Sequence, residues 1–191
     1  YNLLHPSSSP SAAETTALTA LQSTIAEVRG ADAKIELHAG VYPLLDMQQL
    51  ATHARPHSQL STENIALTIV AEVASVYADR NNGEALITAG SIALGRETCK
   101  SYSGWGVVSP WGDVGREGWV VGNISQEHGT LKWTGEGRGE GLEVGNRVRI
   151  WPNHACIAGT GFDWYLIVDS EEEGEGAGDV VRDVWVRWRG W

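Results

Sequence analysis

The chain has 191 residues, of which 42% are hydrophobic and 20% charged, with nine Trp and a formal net charge of -10. That charge argues against a nucleic-acid partner, which needs a clustered basic face to displace counterions, and no stretch approaches the roughly 20 apolar residues of a membrane-spanning helix. Cys99 and Cys156 are too few for a disulfide framework, and no signal-type segment is present, so a reducing, cytoplasmic setting is expected.

The sequence begins at Tyr1, and its first residues read like the interior of a larger fold, so a longer parent protein is expected. Ser11 and Glu14 have the spacing of a capping box, and Leu18, Leu21, Ile25 and Val28 recur at helical spacing until Gly30, predicting a surface helix with one buried stripe. Lys34 to His38 predicts a short strand, which Gly40, Val41, Tyr42 and Pro43 end. Asp46 can then cap a second helix running through Gln48, Gln49 and Leu50. Helix, strand, loop and helix is the rhythm of an α/β barrel.

From Ile65 onward β-branched and aromatic runs alternate with turn residues, and Asn81, Asn82 and Gly83 mark a hairpin. Strands are predicted over Trp119–Ser125, Gly129–Trp133, Arg147–Trp151, Trp164–Asp169 and Val180–Trp188, the pattern of a small β sandwich or barrel. The expected fold is therefore α+β: closing βα units of an α/β barrel in residues 1–55, then a mainly antiparallel β domain in 56–191, with the boundary in the polar segment His53 to Glu63. Glu171, Glu172, Glu173 and Glu175 sit in a Gly-rich loop to which no function is assigned. Trp185 and Trp188 would face opposite sides of a regular strand, and packing in a core or interface explains them better than a ligand platform.

His154 and Cys156, in PNHACI, are two residues apart, so on an extended segment both side chains reach the same side, and imidazole with thiolate suits Zn²⁺. Two ligands do not close a tetrahedral site, and a buried structural role is the commoner use of such a pair. Gly40 and Val41 stand between a predicted strand and helix, where backbone N–H groups can turn toward a phosphate, although an ordinary turn accounts for one glycine equally well. The hydroxyl-rich run Ser7 to Ser11 could also offer donors to an anion, and Glu127 with His128 reads as a polar turn.

Four segments in order, ELHAGVYPLLDMQQLA from Glu36, GNISQEHGTL from Gly122, RVRIWPNHACI from Arg147 and DVWVRWRGW from Asp183, resemble the D-serine dehydratase-like family in its fungal form. The resemblance implies the alanine racemase-like plan, a pyridoxal-phosphate-binding α/β barrel followed by a β domain. It also implies that Gly40, Val41 and the earlier Ser9 contact the cofactor phosphate, and that His154 and Cys156 hold zinc. None of Lys34, Lys100 or Lys132 lies in the context of the family's Schiff-base lysine, so no catalytic residue is assigned and the chain alone is expected to be inactive. The activity implied for the parent is conversion of D-serine to pyruvate and ammonia, in a homodimer acting on a small D-amino acid. A D-threonine aldolase-like enzyme and a non-catalytic β-domain interaction protein are the competing readings.

Overall fold

The computed structural model describes residues 12–30, 34, 36, 38, 40–53, 57–110, 118–169, 171 and 177–189. Helix α1 spans Ala12–Gly30 and α2 Met47–Ala51. The strands β1 (Ile69–Tyr77), β2 (Glu84–Ile87), β3 (Gly106–Pro110), β4 (Trp119–Ile124), β5 (Gly129–Trp133) and β6 (Arg147–Pro152) pair antiparallel in the order β1-β2-β5-β4-β3-β6 and close into a barrel. Short helices α3 (Ser91–Leu94) and α4 (Ala155–Thr160) lie after β2 and β6, and β7 (Trp164–Ile167) pairs with β8 (Asp183–Val186) in a separate ribbon.

The barrel follows from alternation. Along β1, Ile69, Ala71 and Val73 are buried while Val70, Glu72 and Ala74 face out, the period-2 pattern of a strand with one dry face. Val73, Ala85, Ile87, Val121, Leu131, Val148 and Ile150 are fully buried and pack in one core with Leu94 and Trp119. Closure pairs β6 with both β1 and β3, which removes the free edges that an open sheet of this size would present. Asn81 and Asn82 both take positive φ, at 43° and 65°, and lead through Gly83 into β2, so the turn residues of the predicted hairpin adopt the conformation their type favours.

A second buried cluster joins Leu45, Met47, Leu60 and Ile65 to Cys99 and Trp151. It seats the segment that carries α2 against the end of β6. This packing positions everything that follows.

Several expectations need correction. α1 forms, but Leu18, Ile25 and Val28 are only half-buried and Leu21 is exposed, so the predicted stripe is not sunk into a core. Its expected Ser11 cap lies outside the described residues, as do alternate positions of the strand predicted over Lys34 to His38. β3 went unpredicted because Gly106 and Pro110 frame just two β-branched residues; five backbone pairings to β6 supply what propensity does not. Trp185 and Trp188 are 59% and 95% exposed, so neither enters the core of this chain.

Candidate functional site

The turn after Gly40 is unusual backbone. Val41 has φ 60°, a left-handed conformation that costs a β-branched residue about 1–3 kcal/mol. Two things hold it there. Its carbonyl accepts hydrogen bonds from the N–H groups of Leu44 at 3.0 Å and Leu45 at 2.8 Å, and its side chain is buried against Leu67 and Ala155. Gly40 beside it is exposed, and among the described residues, its chain neighbours aside, no heavy atom lies within 4 Å of the place a Cβ would occupy.

Ala155, which shares this buried cluster with Val41 and Leu67, separates His154 from Cys156. Extended structure does not continue through this pair: β6 ends at Pro152, His154 is the residue preceding α4 with φ -134° and ψ 104°, and Cys156 lies in the helix's first turn. The premise of two side chains alternating along a strand is thereby corrected. The cause is a cap supplied from elsewhere, since the Asp46 carboxylate accepts the N–H of Ala155 through Oδ2 at 3.0 Å. Its other oxygen accepts the N–H of Gln49 at 2.9 Å. One carboxylate, fully buried, thus starts both α2 and α4.

The His154 side chain is 28% exposed, and its Nδ1 lies 2.8 Å from Oε1 of Gln48 and 3.8 Å from Oδ2 of Asp46. Cys156 is an exposed free thiol, whereas Cys99 is free and buried, so the two are not bridged. Among the described residues no cluster of three or more His, Cys, Asp or Glu is placed to hold a metal. A borderline-soft ion such as zinc nevertheless suits an imidazole and a thiolate that both reach solvent, with further positions left to substrate or water as in catalytic zinc sites. The donor chemistry therefore fits the ion. Beside Gly40 the space a Cβ would fill is open, which leaves room for a phosphate there, while Ser9 lies outside the described residues.

Sequence reasoning missed the residues that brace this site. Asn153 is buried; its Nδ2 donates to the carbonyls of Glu97 at 2.7 Å and Gly104 at 2.9 Å, and its Oδ1 accepts the Tyr102 hydroxyl. Its carbonyl accepts the N–H of Gln48 at 3.1 Å. Burial, reinforced by Cys99 nearby, pushes the Tyr102 phenol well above its ordinary range, and the bond to Asn153 opposes that shift. The signal available in the sequence was adjacency: Asn153 precedes His154, and Gln48 lies two residues beyond the capping Asp46.

Solved structures with this fold define its class. An alanine racemase-like protein from Idiomarina loihiensis superposes with a TM-score of 0.63 at 26% identity, covering 80% of this chain and 38% of that one. D-threo-3-hydroxyaspartate dehydratase from Delftia sp. HT23 gives 0.64 at 30% identity over the same shares, and one of its solved forms is a cysteine-to-alanine mutant in the metal-free form. The chain belongs to the family described as "Putative serine dehydratase domain", which matches residues 66–168, more than half of the sequence. The D-serine dehydratase of Schizosaccharomyces pombe is 38% identical over 160 residues, 83% of this chain and 34% of that protein. The chain thus spans about a third of the length of this curated relative.

Proposed function

We propose that this chain is the C-terminal portion of a pyridoxal-phosphate- and zinc-dependent D-serine dehydratase, which converts D-serine to pyruvate and ammonia. The observation that carries the reading is the buried cluster joining Val41, Leu67 and Ala155, because it ties the Gly40 turn to the residue lying between His154 and Cys156. Family membership and the dehydratases among the relatives support the reaction type. The metal-free form recorded for the Delftia enzyme supports a metal.

The backbone N–H groups at Gly40 and Val41, with Ser9, would hold the cofactor phosphate. His154 and Cys156 would hold zinc, leaving room for a substrate hydroxyl. When bound, the two groups supply an electron sink for loss of the Cα proton and a Lewis acid for the departing hydroxide. Asp46 and Asn153 keep the metal-bearing segment in place through hydrogen bonds to backbone on both sides of it. Lys34, Lys100 and Lys132 are not in the context of a Schiff-base lysine, so the 191-residue chain by itself should release no pyruvate. We place the intact enzyme in the cytoplasm as a homodimer.

Zinc analysis of the purified chain beside its His154→Ala and Cys156→Ala variants tests the reading. Zinc should fall in both; equal content in all three proteins would remove the metal assignment. The products of the intact enzyme separate elimination from aldol cleavage, since the latter yields glycine and an aldehyde in place of a keto acid and ammonia. The Delftia relative points to hydroxyaspartate as the second substrate to try.

A further inference from the structure

We infer that Gln48 is a positioning residue for His154: it fixes the imidazole in the tautomer whose Nε2 carries the lone pair, so that this nitrogen is the one offered to the metal. The inference rests on the zinc reading above and adds to it the group that prepares the ligand.

The assignment follows from atoms whose roles are not in question. Gln48 Nε2 lies 2.8 Å from the carbonyl oxygen of Thr98. A carbonyl can only accept, so the amide must point its NH₂ there; the flipped amide would press Oε1 against another acceptor. The atom facing His154 is then Oε1, at 2.8 Å from Nδ1. An amide oxygen can only accept as well, so Nδ1 must carry the hydrogen. In the neutral ring the lone pair is left on Nε2, the arrangement a metal-ligating histidine needs from its outer partner.

Asp46 is the other acceptor near the ring. Its Oδ2 is 3.8 Å from Nδ1, beyond hydrogen-bond reach, and its two oxygens already serve Gln49 and Ala155. Gln48 itself is held at both ends, by the side-chain bond to Thr98 and by its own N–H on the Asn153 carbonyl at 3.1 Å. The alignment therefore runs from the 98–104 loop through Gln48 to the ring, and a neutral amide sets it without adding charge to the site.

The test uses the 191-residue chain labelled with ¹⁵N-histidine and two variants: Gln48→Met, of similar length with no hydrogen-bonding group toward the ring, and Gln48→Glu, which keeps an acceptor for Nδ1–H. Imidazole nitrogen shifts report the tautomer in metal-free protein, competition with a chromophoric chelator reports zinc affinity, and thermal melting reports folding. The wild type should show His154 protonated on Nδ1. Gln48→Met should lose that preference and bind zinc about 10- to 100-fold more weakly, while Gln48→Glu, which keeps an acceptor for Nδ1–H but loses the donor to Thr98, should retain the Nδ1–H tautomer and melt at a lower temperature. A wild-type ring protonated on Nε2 overturns the inference without any variant, as does a folded Gln48→Met protein with the wild-type tautomer and zinc affinity. If zinc is lost in His154→Ala yet kept in Gln48→Met, Gln48 has no such role and the zinc reading stands. If wild-type zinc binding survives His154→Ala, the zinc reading falls and takes this role with it.

Discussion

The Asp46 carboxylate caps a helix 109 residues away, with Oδ2 3.0 Å from the N–H of Ala155. Since Oδ1 caps α2 as well, replacing the side chain by Ala strands two backbone donors, that of the fully buried Ala155 and that of the half-buried Gln49. Asp46→Ala should cost about 2–4 kcal/mol, on the scale of one lost cap plus a buried unsatisfied donor. Asp46→Asn, which keeps one acceptor oxygen, should lose less. Urea midpoints of the three proteins check the order, and Ala no less stable than Asn would show that the double cap does not matter.

Tyr102 predicts an alkaline limit. Its folded-state pKa is raised, mainly by burial and then by Cys99, above the ordinary value of 10.0. The folded protein therefore keeps a proton that the unfolded chain releases. This stabilisation is fully present below about pH 10 and declines as pH rises further. Tyr102→Phe removes the donor to Asn153 and should cost about 1–3 kcal/mol at neutral pH. It should also flatten the loss of stability above pH 10, and a variant with the wild-type alkaline slope would contradict the assignment.

At the β1–β2 turn, Gly83 has φ 105°, and a Cβ there would stand 2.9 Å from the carbonyl oxygen of Gly139. Gly83→Ala combines backbone strain with a contact to backbone that cannot swing away, so a loss of about 1–3 kcal/mol is expected. Asn82→Gly, at a position with φ 65° and a residue type suited to it, should change stability far less. Thermal melts of the two variants should differ in that direction.

Trp188 is 95% exposed, so Trp188→Ser should move the stability of the chain by no more than about 0.5 kcal/mol. By contrast Leu131→Ala, in the fully buried barrel core, should cost about 2–5 kcal/mol. Denaturant titrations that placed the two losses on the same scale would mean that Trp188 packs in this chain's core after all.

Wherever the governing interaction is local, the sequence was enough to find it. Asn81, Asn82 and Gly83 define the hairpin because their own side chains favour the left-handed backbone found there. β4, β5 and β6 were visible from runs of β-branched and aromatic residues between turns, and Asp46 as a cap because its acceptor lies three residues from the donor Gln49. Gly40, Val41, His154 and Cys156 were raised as candidates by spacing and by their place at a turn, and the family motifs gave them their expected roles.

Tertiary structure alone decided what these candidates do together. The helix at Cys156 begins where it does because a carboxylate from a distant segment takes the Ala155 N–H, which alternation along the chain cannot anticipate. β3 exists because β6 and β4 pair with it, and Trp185 is exposed because the ribbon that carries it pairs within itself and not with the barrel. The tautomer of His154 depends on the carbonyl of Thr98, reached through Gln48 across two turns of chain that meet only on folding. Local preference writes the elements, but the bond from the Ala155 N–H to the Asp46 carboxylate, 109 positions away in the chain, forms only when folding brings the two segments together.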